Sequence, residues 1–137
     1  MTQQEKLEAY CAYLPYGVEL FWEGGHESSK DETMVSKLTI NNLENLLKGG
    51  NKHATCKIIL RPMSDFIGKG KTGRDYMNEL GCTLLDVHNI WALAEHSMTL
   101  EQVPEQTMRV MKRNKIDYLR MIESGDAISI HDLKREG

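Results

Sequence analysis

The sequence predicts an α+β fold, with a small, mainly antiparallel sheet from the N-terminal half packed by helices from the C-terminal half. Three observations carry this expectation. The strand-like runs at 18–22, 34–40 and 55–60 all precede residue 61. Helical apolar spacing, opened by threonine caps, dominates from residue 72 onward. Strands and helices are segregated rather than alternating, which argues against a doubly wound parallel sheet. At 137 residues the chain fits a single domain, 1–137. A domain near this size buries roughly 68–70% of its unfolded surface and folds without a metal or disulfide staple.

The elements follow in order. Leu7, Tyr10, Cys11 and Leu14 recur at helical spacing over 3–13. Pro15 pushes Leu14 out of the helical region and ends that helix. Val18, Leu20 and Trp22 share one face of the first strand by the two-residue period. Gly24-Gly25 and the polar stretch 26–33 read as a turn and solvated loop. In the second strand, 34–40, strict alternation fails, which predicts a bulge at Val35 or Leu38. Leu43, Leu46 and Leu47 make a short helical stripe that Gly49-Gly50 closes. The run 55–60, Thr-Cys-Lys-Ile-Ile-Leu, reads as a buried strand that Arg61-Pro62 terminates, since proline has no N–H for a ladder.

Ser64-Asp65 then opens a short turn carrying Phe66 and Ile67. Thr72 with Asp75, and Thr83 with Asp86, place an acid three residues after a threonine, as capping boxes do. The first opens a helix to Leu80, closed by Gly81. The second opens an apolar helix to about His96. Pro104 suits the first turn of a further helix with Glu105 at its positive end and Arg109, Lys112 and Arg113 at its negative end. Asp117 is expected to begin a last helix that Gly125 ends, before a short strand at 127–130 and a frayed, charged tail from His131.

Charge and composition exclude several functions. Seventeen lysines and arginines against 20 aspartates and glutamates give a net charge of −3. That excludes a generally basic nucleic-acid binder, though not a local basic patch. Mean hydropathy is −0.48, and no apolar run approaches the roughly 20 residues of a membrane helix. The start, Met-Thr-Gln-Gln-Glu-Lys, lacks the basic and apolar parts of a secretion signal. A cytoplasmic protein is therefore expected, with its three cysteines reduced. No cofactor is expected. The five histidines and three cysteines show no metal-ligand spacing.

The string Gly68-Lys69-Gly70-Lys71-Thr72-Gly73 contains the Gly-Lys-Thr of phosphate loops. Such a loop needs glycine five residues before Gly70. Asp65 stands there, and its carboxylate would repel phosphate. No G-x-S-x-G and no catalytic cysteine signature is present, so the sequence points away from catalysis. An enzyme with an unrecognised site is kept as the third reading.

The expected contact segment is the bend and loop from residue 61 to residue 74. Arg61, Lys69, Lys71 and Arg74 cluster there around Phe66 on a glycine-flanked stretch, and cationic and aromatic groups on loops are typical contact material. The helices after it are expected to spend their apolar faces on the core. The hairpin at 22–33 is second choice. Arg109, Lys112, Arg113 and Lys115 form an alternative basic patch that would track a phosphate backbone if presented on one face. Arg61 and Asp65, four apart across the bend, are positioned to pair.

Three stretches in combination resemble a known family: Tyr-Leu-Pro-Tyr-Gly-Val-Glu-Leu at 13–20, Ile-Leu-Arg-Pro-Met-Ser-Asp-Phe at 59–66, and Asp-Tyr-Leu-Arg-Met-Ile-Glu-Ser-Gly-Asp-Ala-Ile-Ser-Ile at 117–130. In this order and spacing they are similar to segments of small uncharacterised proteins encoded by phages and prophages of Bacteroidetes. The chain departs from that pattern at Ile58, where proline is frequent, and at Asp126, where leucine is frequent. The resemblance implies a mobile-element setting in a host cytoplasm and carries no activity or catalytic residue. Together with the acidic balance it favours a non-enzymatic module that binds a phage or host protein. Inhibition of a host defence complex, in the manner of anti-CRISPR proteins, is one concrete form. An acidic protein can compete for a basic groove. The runner-up is a nucleic-acid accessory protein using the basic patches.

Overall fold

The computed structural model describes residues 1–24, 33–50, 54–67 and 70–136. The polar stretch expected as a loop after Gly24 lies almost wholly outside them, as does Lys69. Helix α1 (Gln3–Tyr13) starts at a capping box in which Thr2 and Glu5 exchange hydrogen bonds of 2.8 and 3.0 Å. It buries Ala9, Tyr10 and Tyr13 and leaves Cys11 exposed. Strand β1 (Glu19–Gly24) pairs antiparallel with β2 (Thr33–Lys37) on one side and with β3 (Ala54–Leu60) on the other. Helix α2 (Leu43–Leu47) lies between β2 and β3 in the chain. The fold is α+β, and the sheet order is β2-β1-β3-β4, with β4 (Ala127–Ser129) parallel to β3.

No bulge interrupts β2. Its register runs unbroken from Glu19↔Lys37 to Glu23↔Thr33, and Leu38 N–H continues it to the Val18 carbonyl at 2.9 Å. Alternation fails in the sequence for another reason. The inner face here holds Ser36, which accepts from Trp22 Nε1 at 3.0 Å, and then Leu38, while Val35 lies on the outer face, 45% exposed. The helices pack on the inner face, where Leu20, Cys56, Ile58, Leu60 and Ala127 join the core.

Helices α3 (Gly73–Leu80), α4 (Leu84–Ala94) and α5 (Glu105–Arg113) follow, with α3 and α4 opened by the two threonine–aspartate capping boxes. Gly81, at φ 67°, takes the left-handed conformation that lets the chain turn straight from α3 toward α4. A buried polar chain ties α4 to α5. Asn89 Nδ2 donates to Thr107 Oγ1 at 3.0 Å, and Thr107 donates to Asp86 Oδ1 at 2.7 Å. The other Asp86 oxygen accepts from Thr83. Burial opposes the Asp86 charge, yet the bonds from Thr107 and Thr83 outweigh it and hold the carboxyl below its ordinary range.

The last helix departs from expectation. Asp117–Arg120 is not helical, and α6 is a single turn, Met121–Ser124. Asp117 N–H donates to the Arg61 carbonyl at 2.8 Å. Its carboxylate instead caps α6, accepting from Met121 N–H at 2.8 Å and Ile122 N–H at 2.9 Å. Arg120 turns left-handed at φ 55° to make the reach. The expected frayed tail is a 3-10 turn over Ile130–Glu136.

Replacing Thr107 with valine keeps the shape but strands the Asn89 amide and takes one hydrogen bond from buried Asp86. Urea unfolding is expected to show a loss of about 1–3 kcal/mol, the cost of a buried unsatisfied group. A change below about 0.5 kcal/mol would mean the chain of bonds does not hold α4 to α5.

Candidate functional site

The site is built around the end of β3. Pro62 stops the strand, so Arg61 is its last bridged residue, paired in parallel with Ile116. Its backbone is held on both sides: N–H to the Lys115 carbonyl and C=O from Asp117 N–H, both at 2.8 Å. The 3-10 turn Met63–Phe66 then brings Asp65 back beneath the Arg61 side chain. Arg61 Nε donates to Asp65 Oδ2 at 3.0 Å, and its guanidinium lies 4.7 Å from the centroid of the Phe66 ring. The expected Arg61–Asp65 pair is therefore formed.

Two further elements complete the cluster. Glu79, near the end of α3, accepts from Arg61 Nη1 at 2.6 Å and from Lys71 Nζ at 2.9 Å. Lys71 lies 5.3 Å from the centroid of Tyr76, whose hydroxyl donates to the Asp65 carbonyl at 2.7 Å. From the C-terminal turn, His131 Nε2 meets both Asp65 oxygens, at 2.8 and 2.9 Å. These side chains, with Ser64 and Ile130, line an open pocket of about 720 Å³.

Arg61 and Lys71 face Asp65 and Glu79, so with neutral histidine the formal charges cancel. The hydrogen bond from Lys71 leads in holding the Glu79 carboxyl below its ordinary range, helped by Arg61, and the same bond raises the Lys71 pKa. The described part of the expected contact segment is thus a charge-compensated pocket wall. Arg61 and Lys71 meet in it. Arg74 is exposed on the first turn of α3 beside it. Phe66 is 1% exposed and offers its ring to Arg61 rather than to a partner. Lys69 lies outside the described residues.

The alternative basic patch is divided among separate tasks. Arg109 pairs with Glu105 one turn back on α5 at 3.1 Å. Arg113 donates to the Leu80 and Gly81 carbonyls and so closes the C-terminal end of α3. Lys115 takes a left-handed conformation at φ 55° and gives its carbonyl to Arg61. Lys112 lines a different groove, of about 460 Å³, with Glu5, Glu8 and Tyr118.

A second surface adjoins the pocket. The sequence pattern assigns α4 wholly to the core, yet Leu84 and Leu85 are 46% and 68% exposed. His88 stacks on Trp91 with centroids 5.5 Å apart, and Trp91 meets the Tyr76 ring edge-on at 5.9 Å. A Cβ built on Gly73 would meet the Leu84 side chain, so Leu84 lies over the start of α3. An apolar and aromatic strip on α4 therefore continues through Tyr76 into the charged pocket. Sequence reading misses Glu79, His131 and this strip. Glu79 and Lys71 are eight apart, a spacing that signals contact only once the Thr72 cap fixes the start of α3.

Among the described residues no group of three or more histidine, cysteine or acidic side chains is placed to hold a metal ion. No described helix is long and apolar enough to cross a membrane. Compared with family models, curated proteins and solved structures, the chain matches none.

A carboxyl stabilised in its charged form titrates low. The Glu79 contribution is therefore complete above the ordinary glutamate pKa of about 4.3 and is lost as pH falls through its lower folded value. Carbon-13 NMR is expected to place the Glu79 midpoint below that of an ordinary glutamate. Lys71→Met is expected to move it upward. A midpoint indifferent to Lys71 would contradict the pairing.

Proposed function

We propose that this chain is a non-enzymatic protein-binding module, encoded by a phage or prophage and acting in the host cytoplasm by occupying a surface of a phage or host machine. Inhibition of a host defence complex is the concrete form that its small size and acidic balance suit best. One observation carries the binding reading. Exposed Leu84 and Leu85 share α4 with the stacked His88–Trp91 pair, and Trp91 packs edge-on against Tyr76, a wall of the pocket that Arg61 and Lys71 also line. Apolar and aromatic anchors bordered by arginine and satisfied polar groups are the anatomy of a protein interface. Leu84 covers the start of α3, while Leu85, 68% exposed, is the apolar side chain of α4 most open to a partner. The mobile-element setting rests on the family resemblance of the segments at 13–20, 59–66 and 117–130.

The tethered protein, passed through lysate of a Bacteroidetes host with and without phage induction, is expected to retain one partner in stoichiometric amount. Leu85→Glu and Arg74→Glu, both at exposed positions, are expected to keep the wild-type melting temperature and lose that partner at least tenfold. Recovery of no stoichiometric partner, or of one indifferent to both changes, contradicts the reading.

A further inference from the structure

The pocket holds two cations, of which Arg61 is fixed before any ligand arrives. The Arg61 backbone is bonded on both sides to the segment 115–117, its Nε is taken by Asp65, and its guanidinium rests over Phe66. Asp65 is itself held by His131 and, through its carbonyl, by Tyr76. Lys71 sits over the Tyr76 ring. Both cations point to one place, and a carboxylate occupies it. Each Glu79 oxygen takes one donor, Oε2 from Arg61 at 2.6 Å and Oε1 from Lys71 at 2.9 Å. Unlike Asp65, Glu79 has no bond to a third group among the described residues. Its side chain is 36% exposed at the last turn of α3, so it can swing into solvent without disturbing the fold.

We propose that Arg61 and Lys71 form a clamp for a carboxylate of a protein partner, an acidic side chain of the bound surface, and that Glu79 is an internal stand-in displaced on binding. This rests on the protein-binding reading above and names the chemistry of the partner's contact. Two arguments select a carboxylate. The clamp supplies one donor to each of two oxygens on a single planar group, the pattern that arginine and a neighbouring ammonium present to carboxylates. With Glu79 swung out, Arg61, Lys71 and Asp65 sum to a single positive charge. A carboxylate neutralises it, whereas a phosphate dianion would leave the pocket negative beside Asp65. The built-in carboxylate lowers apparent affinity by the fraction of molecules in which it occupies the clamp, so its removal strengthens binding.

The test uses acetylated, amidated hexaglutamate as probe, titrated at low salt and followed by the NMR signals of Arg61 Nε and the Lys71 side chain. Glu79→Ala is expected to bind the probe at least tenfold more tightly than wild type, and Lys71→Met added to it is expected to abolish the gain. Glu105→Ala makes the same change in net charge and frees Arg109 instead, and it is expected to show no gain. Inorganic phosphate at the probe's concentration is expected not to compete. A Glu79→Ala protein no tighter than wild type overturns the proposal, as does an equal gain from Glu105→Ala or full competition by phosphate. Thermal melting of each variant confirms that it is folded. Since the probe is a free peptide, this result stands or falls independently of whether a partner is captured from lysate.

Discussion

The bridge between Arg61 and Ile116 is the contact on which the two halves of the protein depend. Arg61 N–H reaches the Lys115 carbonyl and Asp117 N–H reaches the Arg61 carbonyl, each at 2.8 Å. Ile116 is 0% exposed, and its carbonyl accepts from the Tyr13 hydroxyl of α1. Burial, reinforced by the nearby Tyr118 and Asp117, pushes the Tyr13 hydroxyl far above its ordinary pKa, so it remains a donor. One short segment thus joins the end of the central strand β3, the first helix and the connection from α5 to α6. Asp117 extends the arrangement by capping α6, which leads into β4 alongside β3. Burial raises the Asp117 pKa despite the two amide bonds it accepts.

The same bridge aims the site. A strand that ended one residue earlier would leave Arg61 on a free loop, with its side chain sampling solvent. Held on both sides of its backbone, it has one direction available, across Phe66 and over Asp65 toward Glu79. The pocket is therefore assembled from a strand end, a 3-10 turn, the N-terminal approach to α3 and the C-terminal turn. The strand end and the 3-10 turn are fixed by the core through Leu60, Met63 and Phe66. Its charges compensate one another, which allows Arg61 and Asp65 to sit four-fifths buried without a large desolvation penalty. The apolar strip on α4 is attached to this frame through the edge-on contact of Trp91 and Tyr76.

The sequence is legible where the chain itself decides the structure. Thr72–Asp75 and Thr83–Asp86 open α3 and α4, Gly81 separates them, and Pro62 ends β3, because caps, glycines and prolines act on their own neighbours. What is not legible depends on partners far along the chain. Asp117 reads as a helix start because aspartate caps helices. Its backbone is instead held in the bridge to Arg61, 56 positions away, and with Arg120 left-handed its carboxylate caps a helix that begins four residues later. Leu84 and Leu85 fit an apolar helix, and only the position of α3 and α4 shows that they face outward. The cationic cluster is legible at Arg61 and Lys71. Its compensation by Glu79 and His131 depends on where α3 and the C-terminal turn pack.

Amide hydrogen exchange under native conditions tests the central claim most directly. The Arg61 and Asp117 amides carry the bridge, and if it joins the two halves they cannot open while the rest of the fold persists. Their exchange free energies are expected to match the global unfolding free energy from urea within about 1 kcal/mol, and to fall with it in the Thr107→Val protein. Exchange of both amides through a local opening several kcal/mol below the global value would contradict the account, because the sheet and the helical half would then be held together by other contacts.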